Sequence, residues 1–395
     1  MKWLVDEIAY APSRKGCLVQ SLLKRYLFCL VLEKKGSPTM EALRAVIVGT
    51  GGIARSHVNA LRQAGSQVDL VAGMDIDADR ASAFCEQHEI PRSYTDLDKM
   101  LRREEPQLVH IATPPGTHCE LTVAALEAGA WVLCEKPLCA SLAEMDRIEE
   151  AEARTGNYCS SVFQWRFGSG GQHLKQLINS GALGKPMVCV NLTTWFRTHE
   201  YYAVPWRGKW ATELGGCSMG HGIHSMDFML YQLGEWQEIR AMMGTLDRHI
   251  EVEDVSMASV RFANGAMASV TNSVLSPREV SYLRFDFQKA TIELTHLYSY
   301  QNQDWQYSAV PGVSAEELNS WRQLPENVAS SHAAQLQAML ASYAKNERPP
   351  VSGPDVRGTI DFLASLYKSA ITGQPVTRGS ITPDDPFYHA MNGQA

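Results

Sequence analysis

From residue 43 onward the chain alternates short apolar runs with amphipathic stretches. "LRAVIVG" (43–49) is a continuous apolar run of strand length. "GGIARSHVNALRQAG" then carries Ile53, Val58 and Leu61, with Ala54 and Ala60, at helical spacing and stops at Gly65. The pattern repeats. "VDLVAGMD" is followed by "DADRASAFCEQHE", "LVHIATP" by "GTHCELTVAALEAG", and "AWVLCEKP" by "SLAEMDRIEEAEARTG". The last of these helices opens on Ser141, with Glu144 placed for a capping box. "NYCSSVFQ" closes the series as a further strand. Continuous apolar strands separated by helices predict a parallel sheet covered on both faces.

Near Phe163 the period changes. "GGQHLKQLINSGALG" reads as a helix ending in a glycine turn, "KPMVCVNLTTWFR" as a long strand, and "GHGIHSMDFMLYQLG" as a helix stopped by Gly234. In "VSMASVRFANGAMASVTNSV" the pair Asn264-Gly265 sits between two alternating runs, a hairpin signal. "VSYLRFDFQKATIELTHL" adds two strands. "SHAAQLQAMLASYAKNE" and "GPDVRGTIDFLASLYKSAITG" are late helices, packing on the first domain or flanking the sheet. The fold class is α/β: an N-terminal Rossmann (doubly wound, parallel) domain over residues 40–162, and a C-terminal α/β domain over residues 163–380 with a large, open, mostly antiparallel sheet. Residues 1–39 differ from both. "SLLKRYLFCLVLEKK" lacks a small-residue cleavage site, which argues against a signal peptide. Met40 stands just before the first strand, so these residues read as an upstream extension, with an amphipathic N-terminal helix as the alternative.

Composition narrows the partners. A net charge of −7 gives no footprint for nucleic acid, and no apolar run reaches the length of a membrane span. The nine cysteines show no CxxC pair and no zinc spacing, so reduced thiols in a cytoplasmic protein are expected.

The candidate chemistry lies at strand ends. Gly49, Gly51 and Gly52 with Ile53 and Ala54 form GxGxxA after a strand and before a helix, the context in which such a turn cradles a pyrophosphate on the helix N-terminus. Asp75 ends the second strand, where an acid accepts from an adenosine ribose and disfavours a 2′-phosphate. NAD is therefore expected over NADP, with Asp77 and Arg80 near enough to alter that preference. Ligands of open parallel sheets bind beyond the carboxyl ends of the strands, which puts Thr113, Pro114, Pro115 and Lys136 on one crevice.

These features together resemble the Gfo/Idh/MocA oxidoreductase family, from about Met40 to about Pro375. The resemblance rests on GTGGIA (49–54), ATPPGTH (112–118), CEKPL (134–138), GALGKP (181–186), WRGKW (206–210), and GG (215–216) with GIHSMD (222–227). It implies an enzyme that moves a hydride between NAD(P) and a hydroxyl of a sugar, sugar acid or cyclitol, and a homodimer or homotetramer joined through the open sheet. Lys136 would lie at the reacting oxygen and His224 would be the general acid/base. His118 and Glu135, inside the same motifs, would join the cofactor contacts. Many members carry an aspartate four residues before the histidine; here that position is Gly220, followed by His221. His221 shares a helical face with His224, and Asp227 is in reach to orient it, so both are candidate relay groups. The chemistry requires no metal, and none is expected. "WFRTHEYYAVPWRGKW" (195–210) is rich in aromatic and cationic side chains suited to a sugar. Arg197, Tyr202, Trp206 and Arg207, with Arg166 and His224, are the candidate substrate contacts. Two other functions fit the same residues: a glycosidase that retains NAD and oxidises its sugar transiently, and a non-catalytic NAD-binding sugar sensor.

Overall fold

The computed structural model describes residues 41–394; the reading of residues 1–39 lies outside the described residues. Six strands, β1 (Leu43–Val48), β2 (Val68–Met74), β3 (Arg92–Tyr94), β4 (Leu108–Ile111), β5 (Trp131–Cys134) and β6 (Cys159–Ser161), form one sheet in the order β3-β2-β1-β4-β5-β6. Every pairing in it is parallel. Successive side chains of a strand face opposite sides, and the core follows that rule. Ala45 and Ile47 pack with α1 (Ala54–Gln63) and α2 (Ala78–Gln87). Val46 and Val48 belong to the core of α3 (Leu97–Glu104), α4 (His118–Glu127) and α5 (Leu142–Thr155). Burial on both faces is why these strands read as unbroken apolar runs.

β3 was not legible in the sequence, because three residues are too few to show a period, and the helix α3 after it was not read either. The helix start at Ser141 was. Asp77, Asp96 and Ser141 each accept a hydrogen bond from a backbone N–H of the first turn.

After β6 come α6 (Ser169–Asn179) and β7 (Pro186–Phe196), then the short α7 (Trp210–Glu213), a π-helical turn (Ser218–Gly222) and α8 (Ile223–Leu233). β8 (Trp236–Gly244), β9 (Val255–Phe262), β10 (Met267–Ser273), β11 (Leu275–Phe287), β12 (Ala290–His296) and β13 (Trp305–Ala309) follow, and β14 (Val376–Thr377) joins late. The second sheet has the order β13-β12-β11-β7-β10-β9-β8-β14. It is antiparallel except where β7 and β10 run parallel. The hairpin at Asn264-Gly265 joins β9 to β10, with Arg261 opposite Met267. One face of this sheet is covered; the other carries the exposed Val188, Met242, Met257 and Met267.

Of the late helices, α9 (Ala315–Arg322) lies by β13. α10 (His332–Tyr343) returns to the first layer, where Leu336, Met339 and Leu340 share a core with Ala54, Val58 and Leu61 of α1. α11 (Pro354–Thr372) packs on β8. The return of α10 is a feature that a linear division at residue 163 does not express, and it carries His332 to the mouth of β5.

Candidate functional site

The turn after β1 fits a dinucleotide. Gly49 has φ +89°, and a Cβ there would meet the Ala112 carbonyl oxygen at 2.7 Å, so only glycine holds the turn against β4. A Cβ on Gly51 or Gly52 would meet nothing within 4 Å; their backbone borders open space at the start of α1, where the amides can receive a pyrophosphate. That space is part of a cleft of about 1120 Å³, larger than the ~300–1,000 Å³ typical of small-molecule pockets. The cleft is bordered by Gly49, Gly51, Gly52, Ile53, Asp75, Thr113, Pro114, Pro115, Glu135 and Lys136 from the first sheet. From the second half come Arg197, Trp206, Arg207, His221 and His224. The strand ends and the second layer thus bring most of the sequence candidates together.

Asp75 is more heavily engaged than its position implied. Its carboxylate accepts from Thr50 N (3.0 Å), Thr50 Oγ1 (2.9 Å), Asp77 N (3.1 Å), and Arg80 Nε (3.0 Å) and NH2 (2.6 Å). Burial opposes its charge, but the guanidinium and these donors hold the carboxyl well below the usual carboxylate range. Arg80 also lines the cleft, so the adenosine end presents an acid and a base together.

Four candidates lie elsewhere. His118 faces backbone rather than the cleft: Nδ1 is 2.6 Å from Pro137 O and Nε2 is 2.9 Å from Thr113 O, so the ring pins two strand-end turns together. Arg166 is only 7% exposed and makes a two-pronged ion pair with Asp227, Nε to Oδ2 at 2.8 Å and NH2 to Oδ1 at 2.6 Å. Asp227 also accepts from Thr359 Oγ1 at 2.9 Å. Both relay and substrate roles are thereby corrected: a fully buried carboxylate takes the nearest guanidinium, which leaves neither group for His224 or for a ligand. Of the Tyr201–Tyr202 pair, Tyr201 borders the cleft, whereas Tyr202 packs towards Gly208.

The lysine at the end of β5 points across to the second half. Lys136 is half-buried, and its Nζ donates to Gly220 O at 2.5 Å. Desolvation lowers its pKa, opposed by Glu135 and Glu213 and assisted by Arg207. Gly220 lies in the π-helical turn. Its neighbour Gly222 is fixed by packing, since a Cβ there would stand 2.0 Å from Asn272 Oδ1 on β10. His221 accepts from Arg197 Nε at 3.2 Å. His224 lies under Trp165, ring centroids 5.8 Å apart and 23° from parallel, and against the edge of Phe163. Nδ1 of each histidine is buried without a partner, and among the described residues no protein group bonds Nε2 of His224. Burial, then the positive charge of Arg197 for His221 and of Lys136 for His224, keeps both imidazoles neutral well below their ordinary range.

His57, His110, His332 and Glu213 carried no sequence signal; His332 and Glu213 border the cleft, and His57 and His110 lie behind it. Glu135 Oε1 accepts from His57 Nε2 (3.1 Å) and His332 Nε2 (2.8 Å), and His57 Nδ1 meets His110 Nδ1 at 2.9 Å. Burial opposes the Glu135 charge, yet the two imidazoles hold the carboxyl well below its ordinary value. The ligand atoms of His57, Glu135 and His332 lie within 4.8 Å of one another, a spacing a metal could bridge; as they stand, each nitrogen bonds the carboxylate directly. Glu213, 5% exposed, closes the opposite wall. Its Oε2 accepts from Gly208 N at 2.5 Å, and its Oε1 from Arg207 NH1 at 3.2 Å. Arg207 also stacks on Trp206, 4.3 Å from the ring centre. The proximity of His332 to Glu135 joins residues 197 apart in sequence, which no local pattern reveals.

An all-parallel sheet in this order, with a glycine turn opening α1 onto a cleft, is a dinucleotide-binding domain. The chain belongs to the Gfo/Idh/MocA oxidoreductase family: residues 43–163 match its NAD-binding Rossmann fold and residues 172–293 its C-terminal domain. Inositol 2-dehydrogenase of Salmonella typhimurium is 35% identical over 148 residues, a stretch that spans 37% of this chain and 44% of that relative. D-glucoside 3-dehydrogenase of Escherichia coli is 28% identical over 87% of this chain and 99% of its own length. The solved WlbA dehydrogenase of Chromobacterium violaceum, in complex with NADH and UDP-GlcNAcA, superposes with a TM-score of 0.76 at 25% identity, covering 87% of this chain and 98% of that one.

Proposed function

We propose that the protein is an NAD-dependent dehydrogenase acting on a CH–OH group of a sugar, sugar acid or cyclitol, with Lys136 and His224 at the reacting oxygen. The observation that carries this reading is the convergence of Lys136, His221 and His224 on the same cleft as the glycine turn. When bound, NAD supplies the two-electron acceptor for the carbinol carbon. The rest is the work of the chain. An ammonium has three N–H donors, so Lys136, with one given to Gly220 O, has two left to hold a hydroxyl and stabilise it as its proton leaves. His224, neutral because of its burial, is a base ready for that proton. Trp195, Tyr201 and Trp206 offer aromatic faces to sugar C–H surfaces, and Arg197 and Arg207 offer donors. The dehydrogenase names of the inositol and glucoside relatives agree with a polyol substrate.

The exposed face of the second sheet supports assembly with a second copy of the chain, because it carries two apolar pairs, Met242 opposite Met257 and Val188 opposite Met267, with Ser259, Arg261 and Ser269 between them. The seven cysteines among the described residues are all buried and unpaired, in keeping with a reducing, cytoplasmic setting.

The test is absorbance at 340 nm with NAD and a panel of sugars, sugar acids, inositols and glycosides. A substrate-dependent rise, reduced by orders of magnitude in Lys136→Ala with NAD binding retained, is the expected result. Glycoside cleavage without net NADH would overturn it in favour of a retained-cofactor glycosidase.

A further inference from the structure

We propose that Glu213 is the counter-ion of Lys136, a positioning residue that keeps the ammonium charged and aimed into the cleft from the space beside Gly220. This rests on the reading of Lys136 as the group at the reacting oxygen. A half-buried ammonium needs nearby anions; its immediate neighbour Glu135 is the first of them but is shared with two imidazoles, which leaves a place for a second. Lys136 Nζ is bonded to the carbonyl of Gly220, a neutral acceptor. Gly220 bears no side chain, and the nearest atom to a Cβ built there is Glu213 Oε1, at 3.8 Å. The ammonium and the carboxylate therefore both border Gly220.

Glu213 is held for this task. Gly208 N fixes one oxygen and Arg207 NH1 the other, and both belong to the segment that forms the cleft wall. Lys136 is faced by Glu135 from its own segment, by Arg207 and Glu213 from the wall, and by His221 and His224 from the helix. Glu213 is faced by Arg207, Lys136, Glu253, Tyr201 and Tyr202. Of these groups, only Glu135 and Glu213 bring negative charge to bear on Lys136.

A merely structural role, capping Gly208 and pairing with Arg207, would survive replacement by the isosteric amide, so the decisive readout is the titration of Lys136 itself. Reductive methylation with ¹³C-formaldehyde, with the Lys136 resonance identified by its loss in Lys136→Arg, gives that titration by NMR without any turnover. In Glu213→Gln the midpoint should fall by about one pH unit or more. Adding Gly220→Asp to that variant should restore it, because a Cβ at 220 meets nothing closer than the residue-213 side chain at 3.8 Å and Lys136 Nζ already bonds the carbonyl of residue 220. Gly220→Asp alone, which leaves the hydrogen bonds of Glu213 intact, should raise the midpoint. An unmoved midpoint in folded Glu213→Gln would overturn the proposal. Should that variant not fold, an unmoved midpoint in Gly220→Asp would do the same. Because NMR reads no catalysis, a wild type inactive on every sugar would sink the dehydrogenase reading alone and leave the counter-ion measured.

Discussion

At the scale of single residues, the cleft is built by shifting protonation states away from their ordinary values. His224 has its pKa lowered from 6.5 and Lys136 from 10.5, both chiefly by burial. A base that must be neutral loses activity as pH falls through its pKa, and an acid that must be charged loses it as pH rises through its own. The pH profile of kcat/KM should therefore show an acid limb below pH 6.5 and an alkaline limb below pH 10.5. An acid limb at or above 6.5 would remove His224 as the base. At the other end of the cleft, Arg80 neutralises Asp75 and is itself half exposed. Arg80→Ala should free Asp75 to accept from a ribose and repel a 2′-phosphate. Titration by fluorescence should show NADP affinity falling by about tenfold or more, the worth of one charge-assisted hydrogen bond, while NAD changes little. The sequence placed Asp75 at the adenosine end and noted Arg80; that the two bind each other is a side-chain geometry no strand pattern encodes.

At the scale of elements, buried ion pairs and packing between non-adjacent segments fix the site. The Arg166–Asp227 pair joins the segment after β6 to α8, and Thr359 on α11 completes it. Asp227→Ala strands a buried guanidinium. Thermal or chemical unfolding should show a destabilisation of about 3–5 kcal/mol. Were Asp227 instead a relay group for His224, the same change would lower kcat at unchanged stability. The helical period places His221 and His224 on one face. In the structure they straddle the junction of the π-helical turn with α8, and both still reach the cleft, because the wider turn re-aims the first while Gly222 lets the backbone sit against β10. Leu336→Ala on α10 removes a side chain packed on α1 and should cost about 2–5 kcal/mol, with a further loss of activity as His332 shifts from Glu135.

At the scale of the whole molecule, residues from both sheet layers border one cleft. The parallel sheet supplies the glycine turn and Lys136; the second half supplies His224 and the aromatic wall. The opposite face of the second sheet is the surface that remains apolar and exposed. Met257→Glu, which puts charge on a side chain 50% exposed, should shift the protein to a smaller species in sedimentation, with the fold retained. No change in mass would remove that face as the interface. No helix of the described residues is long and apolar enough to cross a membrane.

What the sequence determined by itself was everything governed by local period and turn chemistry. The unbroken strands β1, β2, β4 and β5, the cap at Ser141, the hairpin at Asn264-Gly265 and the glycine turn could be read because each is set by neighbours a few residues apart. Lys136 was placed on the crevice by its strand end, whereas His224 was named by the family resemblance of GIHSMD (222–227). Only the tertiary structure decided which charges neutralise one another. Asp227 went to Arg166, Asp75 to Arg80, Glu135 to His57 and His332, and Glu213 to Arg207 on the wall beside Gly220. The physical reason is that a charge leaving water must find a partner within a few ångströms, and distance in space is set by how layers pack rather than by distance along the chain.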